Sequence, residues 1–129
     1  MKKSVKEEKF REFETSSGKR VLAGKSAENN ELLVAQIEKN EDVFHTVNPG
    51  SPFVNIKSLK TNKKDREEAA IFCASKSQDW RDNKSDVSVH WFKGKDIYKK
   101  RGMKAGTFGV KKFKLIKIKK NEIETLLKR

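Results

Sequence analysis

The alternation of apolar and polar positions is clearest in the second half of the chain. Val87, Val89 and Trp91 alternate with Ser88, His90 and Phe92, the period-two pattern of a strand. Over 110–119, lysines alternate with Phe113 and Leu115 and then with Ile116 and Ile118, which predicts a strand with an apolar and a cationic face. The apolar phase slips by one between Leu115 and Ile116, and a β-bulge is predicted there. Near the start, Ser16-Ser17-Gly18 is a turn signal between 10–15 and 20–25, which reads as a hairpin. Its first strand is weakly patterned, because Phe10 and Phe13 cannot share one face at period two. Leu33 and Ile37 follow several candidate caps in 26–30 at a buried-stripe spacing, predicting a helix over 27–38. Short strands at 42–47 and 53–57 flank the strong turn Asn48-Pro49-Gly50-Ser51-Pro52.

Beyond a polar loop at 58–64, Asp65 and Glu68 resemble a capping pair that opens a helix around 67–77. Residues 78–86 read as a charged connector carrying Trp80, 96–100 as a short strand, and 101–106 as a basic, glycine-bearing loop. Ile123, Leu126 and Leu127 suit a short helical turn at the C-terminus. The sum is an α+β fold: a mainly antiparallel sheet with two helices packed on it, in a single small domain. Residues 1–9 are expected to be a frayed, charged terminus, 10–120 the domain, and 121–129 a closing turn or helix.

Composition bounds this picture. Leu, Ile, Val and Phe supply 31 of 129 residues, above the roughly 20% below which chains rarely bury enough to fold. The core should be real but modest. Lone Cys73 rules out an intrachain disulfide, which suits a reducing interior. No apolar run follows the basic start and none is long enough to span a bilayer, so a soluble, cytoplasmic protein is expected.

Charge changes the picture more. From Lys93 onward there are 14 Lys or Arg against Asp96, Glu122 and Glu124, so this part holds +11 of the formal +13. A cationic face held on a sheet suits a polyanion, and nucleic acid is the commonest large one. Lysine predominance favours backbone attraction over base readout, which arginine serves better. The residues of this face are Lys95, Lys99, Lys100, Arg101, Lys104, Lys111, Lys112, Lys114, Lys117 and Lys119.

The order of landmarks resembles the NFACT RNA-binding domain, the C-terminal module of ribosome-associated quality-control factors. They are Phe10–Phe13 with Gly18 and 21–25; Asn30 with Leu32; His45; Pro49-Gly50-Ser51; Glu68-Ala69-Ala70; Ser77; Val87 and Val89; and Val110 after the loop 99–106. The family usually carries an Asp-x-Trp-x-His strand before its Pro-Gly-Ser turn. Here Glu41 stands at the acidic position, Val43 where the Trp would be, and Pro52 after Ser51 where a polar residue is common. The resemblance implies RNA binding, to rRNA or tRNA and in the setting of the large ribosomal subunit. The length fits the module alone. Lys25, Asn30, His45, Pro49, Gly50 and Ser51 join Lys95, Lys99, Lys100, Arg101, Lys104, Lys112, Lys114, Lys117 and Lys119 as the expected RNA contacts.

Other chemistry finds little support. One Cys and two His show no metal-ligand spacing, and no phosphate-binding or dinucleotide fingerprint is present. Neither an enzyme, nor a cofactor, nor a metal, nor membrane adsorption is expected. The alternative reading is a protein-interaction or ribosome-structural module; oligomeric state is left open. Among aromatics, Trp91, Phe113, Phe53 and Phe72 are expected in the core, and Trp80, Tyr98 and Phe92 nearer the surface.

Overall fold

A computed structural model describes residues 10–129; the expectation for residues 1–9 lies outside the described part. The strands are β1 (Arg11–Glu14), β2 (Arg20–Ala23), β3 (Asp42–Thr46), β4 (Val54–Ile56), β5 (Val87–Lys93), β6 (Ile97–Tyr98), β7 (Gly109–Val110) and β8 (Lys114–Ile118). Six of them form one antiparallel sheet in the order β1-β2-β4-β3-β5-β8, and β6 and β7 form a separate two-stranded ribbon. The helices are α1 (Ala27–Ala35), α2 (Lys63–Ser75), α3 (Gln78–Asn83) and α4 (Lys120–Leu127). The α+β reading and the antiparallel sheet hold, with four helices where two were expected.

Both faces of the sheet are buried at its central strands. On one, Val21, Phe44, Val54, Ile56, Val89 and Ile118 pack against Ala69, Ala70 and Cys73 of α2 and Ile123 of α4. On the other, Leu22, Val43, Phe53 and Phe92 pack with Phe10 and with Leu33 of α1, and Ile97, Phe108 and Val110 of the ribbon region close over them. Two-sided burial explains the awkward first strand. Phe10 joins the second cluster while Phe13 stacks on Phe72 of the first, with ring centroids 4.8 Å apart. Phe10 lies in the bend just before β1 and Phe13 on an edge strand whose other residues are exposed, so the two rings reach different clusters from opposite sides of the chain.

Several boundaries move, each for a local reason. α1 is capped by the Ser26 hydroxyl, which accepts from the Asn29 N–H at 3.1 Å. It ends before residue 38 because Gln36 turns back, donating to the Leu33 carbonyl and to Asn55 Oδ1. α2 begins at Lys63, ahead of the expected start, because Asn62 is the cap. Its Oδ1 accepts from the Asp65 N–H, and an Asp65 carboxylate oxygen accepts from the Asn62 N–H in return. Asp65 and Glu68 also accept from Ser17 and Ser16, so the expected cap residues fasten the β1–β2 turn onto α2. The supposed connector at 78–86 contains a helix, started by the Ser77 hydroxyl under the Trp80 N–H. Trp80 is buried at its centre.

The long final strand is two strands. Gly109–Val110 pairs with Ile97–Tyr98, and the chain breaks at 111–113 before β8 joins β5. Gly109 lies against the Tyr98 ring, and a Cβ there would come within 2.1 Å of it. The predicted bulge is absent: the pairing runs unbroken from Trp91↔Lys114 to Val87↔Ile118. Ile116 and Ile118 face the core, and the phase slip is resolved by leaving Leu115 on the opposite face, 62% exposed.

Candidate nucleic-acid interface

The middle of the sheet sets the site. Antiparallel pairing of β3 with β5 places His45 opposite His90, and pairing of β5 with β8 places Leu115 beyond it. All three lie on the face that carries Val43 and Phe92. Near this end the covering layer opens into a groove of about 670 Å³. One side is the β2–α1 corner with Arg11, Lys25, Ser26 and Asn30; another is the turn Pro49-Gly50-Ser51 with Lys76 and Arg81; the third is 105–108. His45, His90, Phe53, Phe92, Phe108, Val110 and Phe113 supply ring and apolar lining. Arg11, Lys25, Lys76 and Arg81 bring four cations to the lining, and among the described residues no carboxylate joins them.

The walls are fixed by internal bonds. Arg11 Nη1 donates to the Gly24 carbonyl at 3.0 Å, and Arg81 donates to Gln78 Oε1 at 2.9 Å. Asn30 Oδ1 accepts from the Phe53 N–H, tying α1 to β4 beside Gly24, where any Cβ would meet that oxygen at 2.0 Å. Gly50 takes φ +94°, and its carbonyl accepts from the Gln78 N–H at 2.8 Å, binding the turn to α3. The Ser51 hydroxyl accepts from the Thr46 N–H and donates to the Pro52 carbonyl. His45 Nδ1–H donates to the Thr46 carbonyl at 2.8 Å, and its ring meets Phe53 at 4.6 Å. Burial lowers the pKa of His45, hydrogen bonding to Thr46 offsets part of that, and His90 adds to the lowering. Burial lowers His90 as well, so both imidazoles are neutral near pH 7. Cys73, beneath Ser51, has its thiol pushed up to about 12 by burial, and no nucleophile results.

A sequence profile described as the NFACT protein RNA binding domain matches residues 9–112. The chain belongs to this family. The Archaeal Rqc2 homolog aRqcH of Methanocaldococcus jannaschii is 31% identical over 106 residues, which are 77% of this chain and 16% of that protein. The chain thus spans about a sixth of the curated relative's length. Its fold is shared with the C-terminal part of the fibronectin/fibrinogen-binding protein of Streptococcus suis, at a TM-score of 0.79 and 22% identity, covering 91% of this chain and 48% of that one.

Within this NFACT domain the expected contacts divide into two sets. Lys25, Asn30, His45, Pro49, Gly50 and Ser51 converge on the groove. The lysine-rich set does not line it. Lys95 is exposed in the 3-10 turn before β6. Lys99 donates to Glu31 at 2.6 Å and to the Lys104 and Thr107 carbonyls, clasping its own loop. That ammonium, with the Gly106 N–H, holds Glu31 below the usual carboxylate range. Lys100 lies over Tyr98, while Arg101 and Lys104 are exposed on the loop. Lys112 is exposed at the break before β8. On β8, Lys114 shares a face with Ile116 and sits 5.6 Å from the Trp91 ring centre, whereas Lys117 faces the other way with Leu115. Lys119 begins α4, its N–H held by Glu122.

Arg11, Lys76, Arg81, His90 and Phe113 were not foreseen as groove residues. They come from four distant segments that strand pairing and the bond from α3 to the 49–51 turn bring together, and no local pattern announces them. The aromatic expectations are partly reversed. Trp80 and Phe92 are buried, at 5% and 3% exposure, Tyr98 is half-buried, and Phe113 is 51% exposed. Among the described residues no helix is long and apolar enough to cross a membrane.

Proposed function

We propose that the domain is a non-catalytic RNA-binding module, acting on rRNA or tRNA in ribosome quality control. The groove takes the phosphate backbone, and the basic loop 99–106 adds long-range attraction. The observation that carries this reading is that Arg11, Lys25, Lys76 and Arg81 all line a groove that no acid lines among the described residues. Cations spaced along a groove release counterions from a polynucleotide, which gives affinity without base specificity and a steep dependence on salt. Family membership supports the ligand class. Likeness to the Rqc2 homolog supports the setting.

The test is a salt titration of tRNA and rRNA-fragment binding by the wild type and two triple variants of equal charge. Lys25→Gln/Lys76→Gln/Arg81→Gln strips the groove, and Lys112→Gln/Lys117→Gln/Lys119→Gln strips the C-terminal strand region. The groove variant should flatten the logarithmic salt slope by about two to three, at 0.7–0.9 per phosphate contact, and the second variant by clearly less. Equal slopes in both would show that only net charge matters and the groove is not the site. A wild type that retains no RNA at physiological salt but co-purifies with one polypeptide would favour the protein-interaction reading.

A further inference from the structure

The groove lining carries a feature that phosphate binding leaves unused. Phe113 is the one aromatic ring among the exposed large apolar side chains of the described residues, with half its surface in water. It does not hang free. Its ring lies on His90 with centroids 3.9 Å apart and planes 36° from parallel. Leu115, cross-strand partner of His90, extends the same ledge and is itself 62% exposed. The ring falls one position beyond the residues matched by the family profile.

A ring pinned on one side and wet on the rest loses little conformational freedom when something stacks on it. Lys76 and Arg81 line the same groove as Phe113 and His90, with no carboxylate among them. Stacking rings beside a cationic track are the combination by which proteins hold single strands, because every base offers a π face and every nucleotide a phosphate. A duplex keeps its base faces stacked inward and cannot use such a ledge. Burial keeps His90 neutral at physiological pH, so the ledge adds aromatic surface without adding charge.

We propose that the His90–Phe113 pair is a stacking platform for an unpaired base, so that the groove selects single-stranded loops or ends of RNA over duplex. This rests on the RNA-binding reading above and adds a substrate class to it. The test compares a short oligouridine with a blunt RNA duplex of equal length, by fluorescence anisotropy, for wild type, Phe113→Ala and Phe113→Trp. Because Phe113 is half exposed, both variants should melt within a few degrees of the wild type, which calorimetry checks first. Phe113→Ala should weaken oligouridine binding about fivefold or more, the lower end for one stacked base, and leave duplex binding unchanged. Phe113→Trp should restore it. Unchanged oligouridine affinity in Phe113→Ala, or an equal loss on the duplex, overturns the platform while leaving RNA binding intact. Wild type that binds neither probe also overturns the platform, and the tRNA titration above decides by itself whether RNA binding stands.

Discussion

The groove and the C-terminal strand region are each rich in cations, yet the fold uses them in opposite ways. Around the groove, four cations from residues 11, 25, 76 and 81 are gathered by strand pairing and by the α2–α3 corner onto one lining, where no acid joins them among the described residues. Around β8, lysines 114 and 117 fall on opposite faces of a strand at the edge of the sheet. An edge strand presents unpaired backbone groups, and lysine there discourages pairing with other chains. The charge of β8 therefore has a reason that needs no ligand. Local charge density read along the chain counts cations; a site depends on where their tips converge.

The comparison can be broken first at its foundations. Phe53 is 4% exposed and touches His45, Phe92 and Phe108, so the groove floor is continuous with the second core. Phe53→Ala should cost about 3–5 kcal/mol, the usual price of deleting a buried ring, read by urea denaturation. Nothing comparable lies under Leu115, on the exposed face of β8, and Leu115→Ala should change stability by less than about 0.5 kcal/mol. A small loss in Phe53→Ala would mean the groove is a surface dent detached from the core.

A second test takes the opposite face of the sheet. Asp42 is 2% exposed, and its carboxylate accepts from Trp91 Nε1 at 2.7 Å, Lys93 Nζ at 2.9 Å and the Thr61 hydroxyl at 2.6 Å. Asp42→Ala would strand the indole N–H, and an unpaired buried donor costs about 1–3 kcal/mol. RNA affinity of the folded fraction should stay at the wild-type value, because this network lies across the sheet from the groove. Loss of RNA binding without loss of stability would place the site on the wrong face.

How much of this was legible beforehand follows the range of the interactions. Period-two runs, the Ser16-Ser17-Gly18 turn and the 48–52 turn predicted strands near their observed places, because those signals are local. The part of the groove lining at Lys25, Asn30, His45 and 49–51 was singled out through family likeness, since nothing in those residues alone points to a groove. Phe92 and Phe113 were misplaced for one reason. Burial of ring 92 depends on the layer formed by α1 and 108–110, and exposure of ring 113 depends on the break at 111–113, and both are tertiary facts. The absent bulge has the same origin. The pattern showed a phase conflict at Leu115 and Ile116, and the fold settled it by exposing a leucine, which single strands permit at modest cost.

A smaller effect separates the two regions by pH. Burial lowers the pKa of both His45 and His90, so the folded protein binds their protons less readily than the unfolded chain does. Stability is then full above the unfolded histidine value of about 6.5 and declines as pH falls through that value toward the folded ones. Melting temperature should drop between pH 7.5 and 5.5, by less in His45→Gln than in wild type, since the protonation penalty is gone. A drop of the same size in the variant would mean other groups set the acid limit.

The finest distinction lies within β8 itself. Lys114 sits over the Trp91 ring, which Arg66 approaches at 4.8 Å, so the indole is flanked by two cations. Lys114→Gln should lose about 0.5–1 kcal/mol, the worth of an exposed cation–π contact, while Lys117→Gln on the other face should lose almost nothing. On RNA the order should reverse. Lys117 shares its face with Leu115 and His90, beside the platform, so its removal should lower the salt slope by up to about 0.7, whereas Lys114 points toward the helices and should leave the slope unchanged. Both substitutions remove one charge from one five-residue strand, so net charge predicts identical behaviour for the pair. Any reproducible difference between them must come from the side of the sheet each lysine occupies.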